Sequence, residues 1–294
     1  MRILIQGLLL GYSMAGWAAT PATPAAPVRW TPPAIASDQY ESSPVFTPDG
    51  REVYFFRADP GFSNYRLLVS ACVDGAWGRP AEPPFAAPLP ASESDPFVSA
   101  DGRELYYIST RDKTGNSAVD DFDIWRVRRQ PGGQWGQPAR VDGLNSPGSE
   151  LLPRKLPDGR MLFGSDRAGG LGAGDIYIAT PSGTGWRIEN LGAPVNTAGP
   201  EYEADMSPDG KTLIVVADRG DKSHLHRYRR TGDQWIADGR IDARPDVFQV
   251  GPLFSPKGDR LLFSQADGAR SGEWFVADLS PATDQRWPPS CEPR

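Results

Sequence analysis

The stretch that decides the fold is residues 150–178, ELLPRKLPDGRMLFGSDRAGGLGAGDIYI, because the rest of the chain repeats it with variations. A short apolar run reaches Pro157-Asp158-Gly159, a turn in which glycine accepts a positive φ and aspartate hydrogen-bonds its own backbone. A second apolar run follows at residues 161–163, and the glycine-rich residues 169–172 separate it from the alternating residues 175–178. The pattern predicts a β-hairpin followed by a third strand.

The aspartate–glycine turn recurs along the chain at nearly constant intervals of 52, 57, 51 and 48 residues, with turn glycines at Gly50, Gly102, Gly159, Gly210 and Gly258. An apolar second strand follows each turn, at residues 53–56, 105–108, 161–163, 213–216 and 261–263. A third strand comes next, at residues 65–69, 123–127, 175–178, 225–228 and 274–277. Each repeat then reaches a tryptophan, at Trp77, Trp135, Trp186, Trp235 or Trp287. The chain is therefore a tandem repeat.

Five repeats of about 50 residues, each with three clear strands and a tryptophan-bearing fourth, predict an all-β β-propeller with four antiparallel strands per blade. The composition agrees, because 32 glycines and 30 prolines are many for a helical protein. A single blade cannot bury both of its faces, so residues 30–294 are predicted to form one domain. Trp30 is an N-terminal copy of the tryptophan segment. It leaves open whether the ring has five or six blades, and whether Trp30 or Trp287 belongs to the closing strand.

The first 29 residues precede the repeats and carry a targeting pattern. Met1 and Arg2 give a positive start, residues 3–14 are mostly apolar, and small residues surround a cleavage position near Ala18. This pattern predicts a signal peptide at residues 1–18, followed by a Pro/Ala-rich tether at residues 19–29. The mature chain is therefore predicted to be periplasmic or secreted, with no transmembrane segment. Its net charge of -6 argues against a nucleic-acid partner, because phosphate binding requires clustered lysines and arginines.

Two cysteines, Cys72 and Cys291, lie near opposite ends of the mature chain. In an oxidising compartment they are candidates for a disulfide. The alternative is a buried thiol at Cys72 and a free thiol in a loose C-terminal tail at Cys291.

Four segments carry a family resemblance: ESSPVFTPDGREVYFF at residues 41–56, ESDPFVSADGRELYYIST at 93–110, SDRAGGLGAGDIYIA at 165–179 and EYEADMSPDGKTLIVVADR at 201–219. They resemble the WD-like propeller repeats of the TolB-like family, over nearly all of the mature chain. The resemblance implies a β-propeller that serves as a protein-binding module, a peptidoglycan-associated component or a gating domain of a peptidase. The chain departs from TolB itself in having no separate N-terminal α/β domain and five rather than six obvious repeats. A role in the Tol system therefore does not follow.

One position recurs eight residues before each turn aspartate or its replacement Lys257. Because the first strand of each blade lines the channel of a propeller, these residues are predicted to form a ring near one channel mouth: Glu41, Glu93, Glu150, Glu201 and Gln249. Asp95, Glu203 and Asp205 would add charge to the same mouth. Such carboxylates concentrate negative potential and can hold a cation, a basic peptide or an amine-bearing ligand. The structural alternative is that each glutamate accepts backbone N–H bonds from the neighbouring blade.

A second set of charged residues flanks the gap between second and third strands. Arg111, Arg167 and Arg219 follow second strands, whereas Asp123 and Asp175 open third strands. Because the planar guanidinium group matches a carboxylate, a repeated Arg–Asp contact is predicted to hold the two strands together. These residues and the two cysteines are therefore assigned structural roles.

Other polar clusters give weaker signals for chemistry. The acidic residues 120–123 lack the spacing of an EF-hand and are predicted to form a solvated loop. His224 and His226 share one strand face without a third ligand, so no metal and no cofactor are predicted. The sequence contains no G-x-S-x-G elbow, no H-E-x-x-H helix and no glycine-rich phosphate loop.

These observations predict an exported, monomeric, non-catalytic propeller that binds a protein, a peptide or a cell-wall fragment at its channel mouth. The alternative is a propeller enzyme, carbohydrate-active or a small-molecule hydrolase or lyase, that uses mouth carboxylates with a bound cation. A third interpretation is an architectural spacer in a larger envelope assembly.

Overall fold

The computed structural model describes residues 25–114 and 118–291. This part of the chain contains 20 β-strands and no α-helix, which confirms the predicted all-β class. The predicted signal peptide at residues 1–18 and residues 19–24 of the predicted tether lie outside the described residues.

The strands form antiparallel sheets of four, here called units 1 to 5. The chain begins with β1 (Val28–Arg29), and unit 1 follows with β2 (Tyr40–Phe46), β3 (Glu52–Ala58), β4 (Arg66–Val73) and β5 (Ala76–Trp77). Unit 2 contains β6 (Glu93–Val98), β7 (Glu104–Arg111), β8 (Ala118–Arg128) and β9 (Ala139–Arg140). Unit 3 contains β10 (Glu150–Lys155), β11 (Met161–Ser165), β12 (Asp175–Ser182) and β13 (Gly185–Asn190). Unit 4 contains β14 (Glu201–Met206), β15 (Thr212–Asp218), β16 (Ser223–Thr231) and β17 (Gln234–Arg240), and unit 5 contains β18 (Gln249–Phe254), β19 (Arg260–Asp267) and β20 (Arg270–Asp278), completed by β1.

The turns between first and second strands show why the aspartate–glycine signal repeats. In unit 1, the Asp49 carboxylate accepts hydrogen bonds from the Thr47 hydroxyl (2.6 Å) and the Arg51 backbone N–H (3.1 Å), and the glycine between them has a φ of 70°. Asp101 and Asp209 make the same two kinds of contact in units 2 and 4. The aspartate thus fixes the turn, and glycine adopts its positive φ without strain.

The N-terminal strand completes the last unit. Strand β1 pairs antiparallel with β20, and Trp30 extends the pairing by donating its backbone N–H to the Trp274 carbonyl oxygen (2.7 Å). Unit 5 also meets unit 1 directly, because Tyr40 of β2 pairs with Gly272 of β20. Of the two tryptophans that the sequence left open, Trp30 therefore continues the outer strand of unit 5. That strand begins inside the predicted tether, at Val28.

Trp287 lies outside the strands, in a C-terminal segment that packs against units 1 and 5. Its ring centroid lies 6.5 Å from that of Phe46, and Asp284 forms an ion pair with Lys257 (2.8 Å). Cys291 forms a disulfide with Cys72 of β4, with Cα atoms 5.4 Å apart. The segment is therefore anchored at three points, and the disulfide links it to unit 1.

Both faces of each unit are buried against neighbouring units. In unit 4, Val215 shares a core cluster with Leu162 of unit 3, whereas the preceding residue, Ile214, shares one with Phe263 of unit 5. Consecutive side chains of a strand point to opposite faces, so a strand with two buried faces is continuously apolar. First strands contact one another in the order β2, β6, β10, β14 and β18, and β18 contacts β2.

Two local predictions differ from the structure. Trp135 forms an isolated bridge with Arg129 and precedes β9, so this tryptophan lies outside the fourth strand. The acidic residues 120–123 belong to β8 and not to a loop. Strand β8 extends this far because Asp123 is buried and accepts two hydrogen bonds from the Arg140 guanidinium group, at 2.5 and 2.7 Å.

Candidate functional site

The predicted ring positions lie at the start of the first strand of every unit. The four glutamates have no exposed surface, and Gln249 is 2% exposed. Each glutamate pairs with an arginine at or just beyond the end of the second strand of its own unit: Glu41 with Arg57, Glu93 with Arg111, Glu150 with Arg167 and Glu201 with Arg219. The N–O distances are 2.6 Å for Glu41–Arg57 and 2.9 Å for Glu150–Arg167. A ligand-binding role for these residues stays a prediction.

The arginine of each pair also holds the loop that enters its unit. Each donates to a loop carbonyl oxygen, that of Ile35, Phe85, Leu144 or Val195. In unit 5, Gln249 Oε1 instead lies 2.6 Å from His224 Nδ1, and Gln249 Nε2 donates to the carbonyl oxygens of Arg244 (2.5 Å) and Val247 (2.8 Å). A buried carboxylate requires a charged partner, whereas a neutral amide does not. In unit 5 the glutamate is replaced by Gln249, and the paired arginine is absent as well.

The predicted Arg–Asp pairing is wrong in its partners. Arg111 and Arg167 reach back to glutamates of the first strand, where a buried charge needs compensation. Asp123 pairs with Arg140, and Asp175 Oδ2 accepts hydrogen bonds from the Leu171 backbone N–H (2.5 Å) and an Asn190 amide (3.1 Å). The third-strand aspartates are therefore held by loop and outer-strand groups.

A second ring of positions lies two residues further along each first strand, at Ser43, Asp95, Leu152, Glu203 and Gly251. The first strands of units 1, 2, 3 and 5 are bulged at this position, and these four residues have φ between 44° and 63°; in unit 4 the bulge lies just before Glu203. Asp95 accepts hydrogen bonds from the Ser43 hydroxyl of unit 1 (2.9 Å) and the Leu152 N–H of unit 3 (3.1 Å). Glu203 accepts one from the Gly251 N–H of unit 5 (2.5 Å). Bulges re-aim groups out of the ladder, and here they turn two carboxylates toward neighbouring first strands.

Arg154 and Asp205 lie two residues further down, beneath these carboxylates. Arg154 is 1% exposed and donates to the carbonyl oxygens of Pro96 in unit 2 (3.4 Å) and Pro252 in unit 5 (3.2 Å). Its Nε lies 3.9 Å from Asp205, whose other oxygen accepts the Phe254 N–H (2.7 Å). The guanidinium group therefore joins three units, and with Asp205 it forms a floor under Asp95 and Glu203.

Only a weak sequence signal points to Arg154. The segment ELLPRK of unit 3 carries arginine where units 1, 2 and 5 carry Val45, Phe97 and Leu253. A charge at an otherwise apolar repeat position is such a signal, but its partners come from other units and cannot be found by local spacing.

The three carboxylates outnumber the single buried cation. Burial raises the pKa of Asp95, and burial followed by the charge of Asp95 raises the pKa of Glu203 to about 8. Burial also raises the pKa of Asp205 to about 6, although Arg154 opposes that shift. Of the three, Glu203 alone keeps partial contact with solvent. Solvent or a ligand therefore contacts the Asp95–Glu203 pair through the Glu203 side chain.

Aromatic side chains surround the carboxylate pair. The Phe62 ring centroid lies 4.9 Å from that of Tyr40 and 5.6 Å from that of Phe248, and Phe62 is 46% exposed. Burial raises the pKa values of Tyr40 and Tyr65, and the charges of Asp95 and Glu203 raise them further. Both side chains pack in one cluster with Phe248 and Val250, and Val250 precedes the Gly251 whose N–H donates to Glu203. We call this arrangement the axial mouth: Asp95 and Glu203 with Tyr40, Phe62, Tyr65 and Phe248.

Phe62 is presented by a strained turn. It has a φ of 59°, and Asn64 one of 53°. The Asp59 carboxylate holds the turn by accepting hydrogen bonds from the Ser63 hydroxyl (3.1 Å) and the Asn64 amide (2.6 Å). Backbone strain is often stored at binding sites, so the positive φ at an exposed aromatic residue points to this turn as a contact surface. The sequence pattern gives no signal for Phe62, because it lies in a polar loop.

Within residues 25–114 and 118–291, no group of three or more His, Cys, Asp or Glu side chains is arranged to hold a metal ion. His224 is buried against Gln249, and burial, followed by the charges of Arg219 and Arg240, lowers the pKa of His226 to about 4. A cleft of about 530 Å³ lies at the opposite end of the first strands, between the turns of units 3 and 4. Acidic and basic side chains alternate along this cleft, among them Asp158, Arg160 and Lys211, so its charge favours neither an anionic nor a cationic ligand.

Comparison with known proteins identifies the fold. No protein-family profile and no curated protein sequence matches this chain. Among solved structures, Zg3597, a family 117 glycoside hydrolase from the marine bacterium Zobellia galactanivorans, is 13% identical with a TM-score of 0.56, over 89% of this chain and 92% of that one. A protein assigned to TolB from Agrobacterium tumefaciens is 19% identical with a TM-score of 0.53, over 80% of this chain and 73% of that one. The fold is a TolB-like β-propeller.

The structures similar to this chain include a glycoside hydrolase and a TolB. At these sequence identities the similarity shows the fold alone. A puromycin hydrolase is also similar, with 15% identity and a TM-score of 0.46, over 82% of this chain and 38% of that one. None of the described residues form a helix long and apolar enough to cross a membrane.

Proposed function

We propose that the chain is an exported, five-bladed propeller that binds a basic peptide segment of an envelope protein at the axial mouth, without catalysis. Units 1 to 5 are the blades. Strand β1 closes the ring by completing the fifth blade, and the contact between β18 and β2 joins that blade to the first. The Cys72–Cys291 disulfide supports export, because such bonds persist in oxidising compartments. N-terminal sequencing of the mature protein is expected to begin near residue 19.

The observation that carries the proposal is a pair of carboxylates without a matched arginine, next to an aromatic cluster in which Phe62 is exposed. Asp95 and Glu203 share only Arg154 as a nearby cation, and Arg154 is already held by Asp205 and two carbonyl oxygens. A lysine or arginine side chain from a partner would supply the missing charge, and its apolar stem would contact Phe62 and Phe248. The site therefore fits a basic residue entering from the partner.

The buried glutamate–arginine pairs support this role indirectly. We propose that Glu41, Glu93, Glu150 and Glu201 fix the loops that enter each blade, and that Gln249 does the same through His224. These loops border the mouth, so the pairs shape it without contacting the partner.

The test measures binding of lysine-containing peptides from envelope proteins by isothermal titration calorimetry, with norleucine versions as neutral controls. Phe62→Ala is expected to weaken binding at least tenfold, because it removes an exposed ring of the mouth. Ile236→Ala removes a residue of similar exposure (49%) from the outer strand β17 and is expected to leave binding unchanged. Equal affinity of lysine and norleucine peptides, or no effect of Phe62→Ala, would contradict the proposal.

The second candidate function is glycoside cleavage, and the Asp95–Glu203 pair favours it. A carboxyl group with a raised pKa beside a second carboxylate is the arrangement of a glycosidase acid and its partner. Hydrolysis of aryl glycosides that is lost in Glu203→Gln and in Asp95→Asn would establish this function. Activity equal in the wild type and both variants would exclude the pair as its source.

A further inference from the structure

We propose that Asp95 and Glu203 share one proton while the axial mouth is empty, and release it to solvent when an organic ammonium group binds between Glu203 and Phe62. This inference rests on the proposed function, because it uses the same mouth. It adds the chemical class of the group that binds and a dependence of binding on pH.

The charges around Asp95 and Glu203 do not balance if both carboxyl groups are ionised. The titratable or charged groups that face it are Tyr40 on β2, Tyr65 between β3 and β4, Arg154 on β10 and Asp205 on β14. Both phenols are neutral at pH 7, since their pKa values are raised above the ordinary value near 10. If all carboxylates ionise, three negative charges face one guanidinium group in a nearly dry region, which is costly.

The two carboxylates are held on adjoining groups of the fold. Asp95 accepts hydrogen bonds from the Ser43 hydroxyl and the Leu152 N–H, and Glu203 accepts one from the Gly251 N–H. A Cβ at Gly251 would lie 3.0 Å from the Ser43 nitrogen, so the two anchoring residues touch. They cannot move apart to reduce their repulsion. The pKa of Glu203, raised to about 8, agrees with one proton held by the pair at neutral pH.

The number of Asp95 and Glu203 oxygen atoms without a hydrogen-bond partner limits which cation can bind. Both Asp95 oxygens are engaged, by Ser43 and Leu152, and one Glu203 oxygen is engaged by Gly251. In the described part of the chain, Glu203 Oε1 makes no hydrogen bond to the protein, and few other carboxylate oxygens face the mouth. Calcium requires about six to eight oxygen ligands, so this set is too small for it. An ammonium group donates up to about three hydrogen bonds, and Glu203 Oε1 is free to accept one of them while water accepts the others.

The aromatic rim accounts for the organic part of the ligand. Phe62, Tyr40 and Phe248 form a contiguous ring cluster beside the pair, with Phe62 exposed. Aromatic faces attract a cation within about 6 Å and pack against an apolar stem. Binding therefore exchanges one ion for another. The ammonium ion binds to the pair, the pair loses its shared proton, and that proton passes to the buffer.

The experiment titrates the full chain with benzylamine at pH 7 in phosphate and in Tris, whose different heats of ionisation report proton release. We expect close to one proton released per benzylamine bound, and an affinity that falls about tenfold for each pH unit below neutrality. Glu203→Gln is expected to abolish the release, and Asp49→Asn, which alters an exposed turn carboxylate, to leave it unchanged. Benzyl alcohol, the neutral analogue, is expected to release no proton.

The outcomes separate this inference from the proposed function. Benzylamine binding with no proton released overturns the exchange and leaves the mouth as a binding site. Absence of benzylamine binding, with lysine peptides still bound by the wild type and weakened by Phe62→Ala, also overturns the exchange alone. Absence of binding by both probes overturns the exchange and the proposed function together.

Discussion

At the scale of single residues, the molecule uses buried charge in two different ways. The glutamates that open the first strands are each matched by an arginine of the same blade. The carboxylates two residues further along, Asp95 and Glu203, have no such match. The first set is therefore compensated within its own unit, and the second is the set proposed to bind a ligand.

Glu203→Gln is expected to make the protein more stable at pH 8 and to flatten its dependence on pH. The folded state holds a proton on Glu203 up to about pH 8, whereas the unfolded chain loses it near pH 4 to 5, so stability of the wild type falls as pH rises between these values. Glutamine keeps the shape of the neutral side chain and removes this loss, on the order of 1 kcal/mol or more. Urea unfolding at pH 5 and pH 8 measures the difference, with Glu189→Gln on β13 as the exposed control. A variant with the wild-type slope would contradict the assigned shift.

Arg167→Met is expected to destabilise the protein by about 3 to 5 kcal/mol, because it leaves Glu150 buried without its cation. Adding Glu150→Gln is expected to recover part of that loss, as Gln249 does naturally in unit 5. Arg187→Met breaks an exposed pair with Glu189 (3.3 Å) and is expected to change stability by less than about 1 kcal/mol. Thermal unfolding of the wild type, the two single variants and the double variant Arg167→Met/Glu150→Gln measures these differences. A double variant no more stable than Arg167→Met would refute the pairing.

At the scale of the strand, the structure shows how far the sequence carries the fold. The aspartate–glycine turns and the apolar runs after them located the second and third strands, because turn chemistry and burial are both local in sequence. The bulges at Asp95 and just before Glu203 cannot be predicted from the sequence, since they depend on the backbone of neighbouring first strands. The partners of Arg111 and Arg167 lie within the same unit, but sequence spacing does not show that the first-strand glutamates are buried against the end of the second strand. The spacing therefore favours the aspartates that open the third strand.

Gly251→Ala tests the bulge of β18. A Cβ at Gly251 would lie 3.0 Å from both Ser42 Oγ and the Ser43 nitrogen, in addition to requiring a φ of 63°. Gly268 has a similar φ of 61° and nothing within 4 Å of its Cβ position. We therefore expect Gly251→Ala to cost at least about 1 kcal/mol more than Gly268→Ala in chemical unfolding. Equal costs would show that β18 and β2 do not approach as described.

At the scale of the whole molecule, the two chain ends are both tied to the region where the last unit meets the first. Strand β1 completes unit 5, and the C-terminal segment is joined to unit 1 through Cys291 and Cys72. Separation of unit 5 from unit 1 would have to break both connections.

Replacing both cysteines by serine is expected to lower the free energy of unfolding by about 3 to 5 kcal/mol, because the bond closes a loop with a sequence separation of 219 residues. The same loss is expected when the wild type is unfolded in the presence of a reductant. A double variant as stable as the oxidised wild type would show that strand β1 and side-chain packing alone hold the ring.

The axial mouth is proposed to bind a basic partner. Amide chemical-shift mapping by NMR, with the full chain and a lysine-containing peptide that binds it, locates that contact residue by residue. We predict shifts concentrated at Phe62, Asp95, Glu203 and Phe248, and their loss with the norleucine peptide. Shifts confined to the outer strands β13 and β17, or equal shifts with both peptides, would contradict the account.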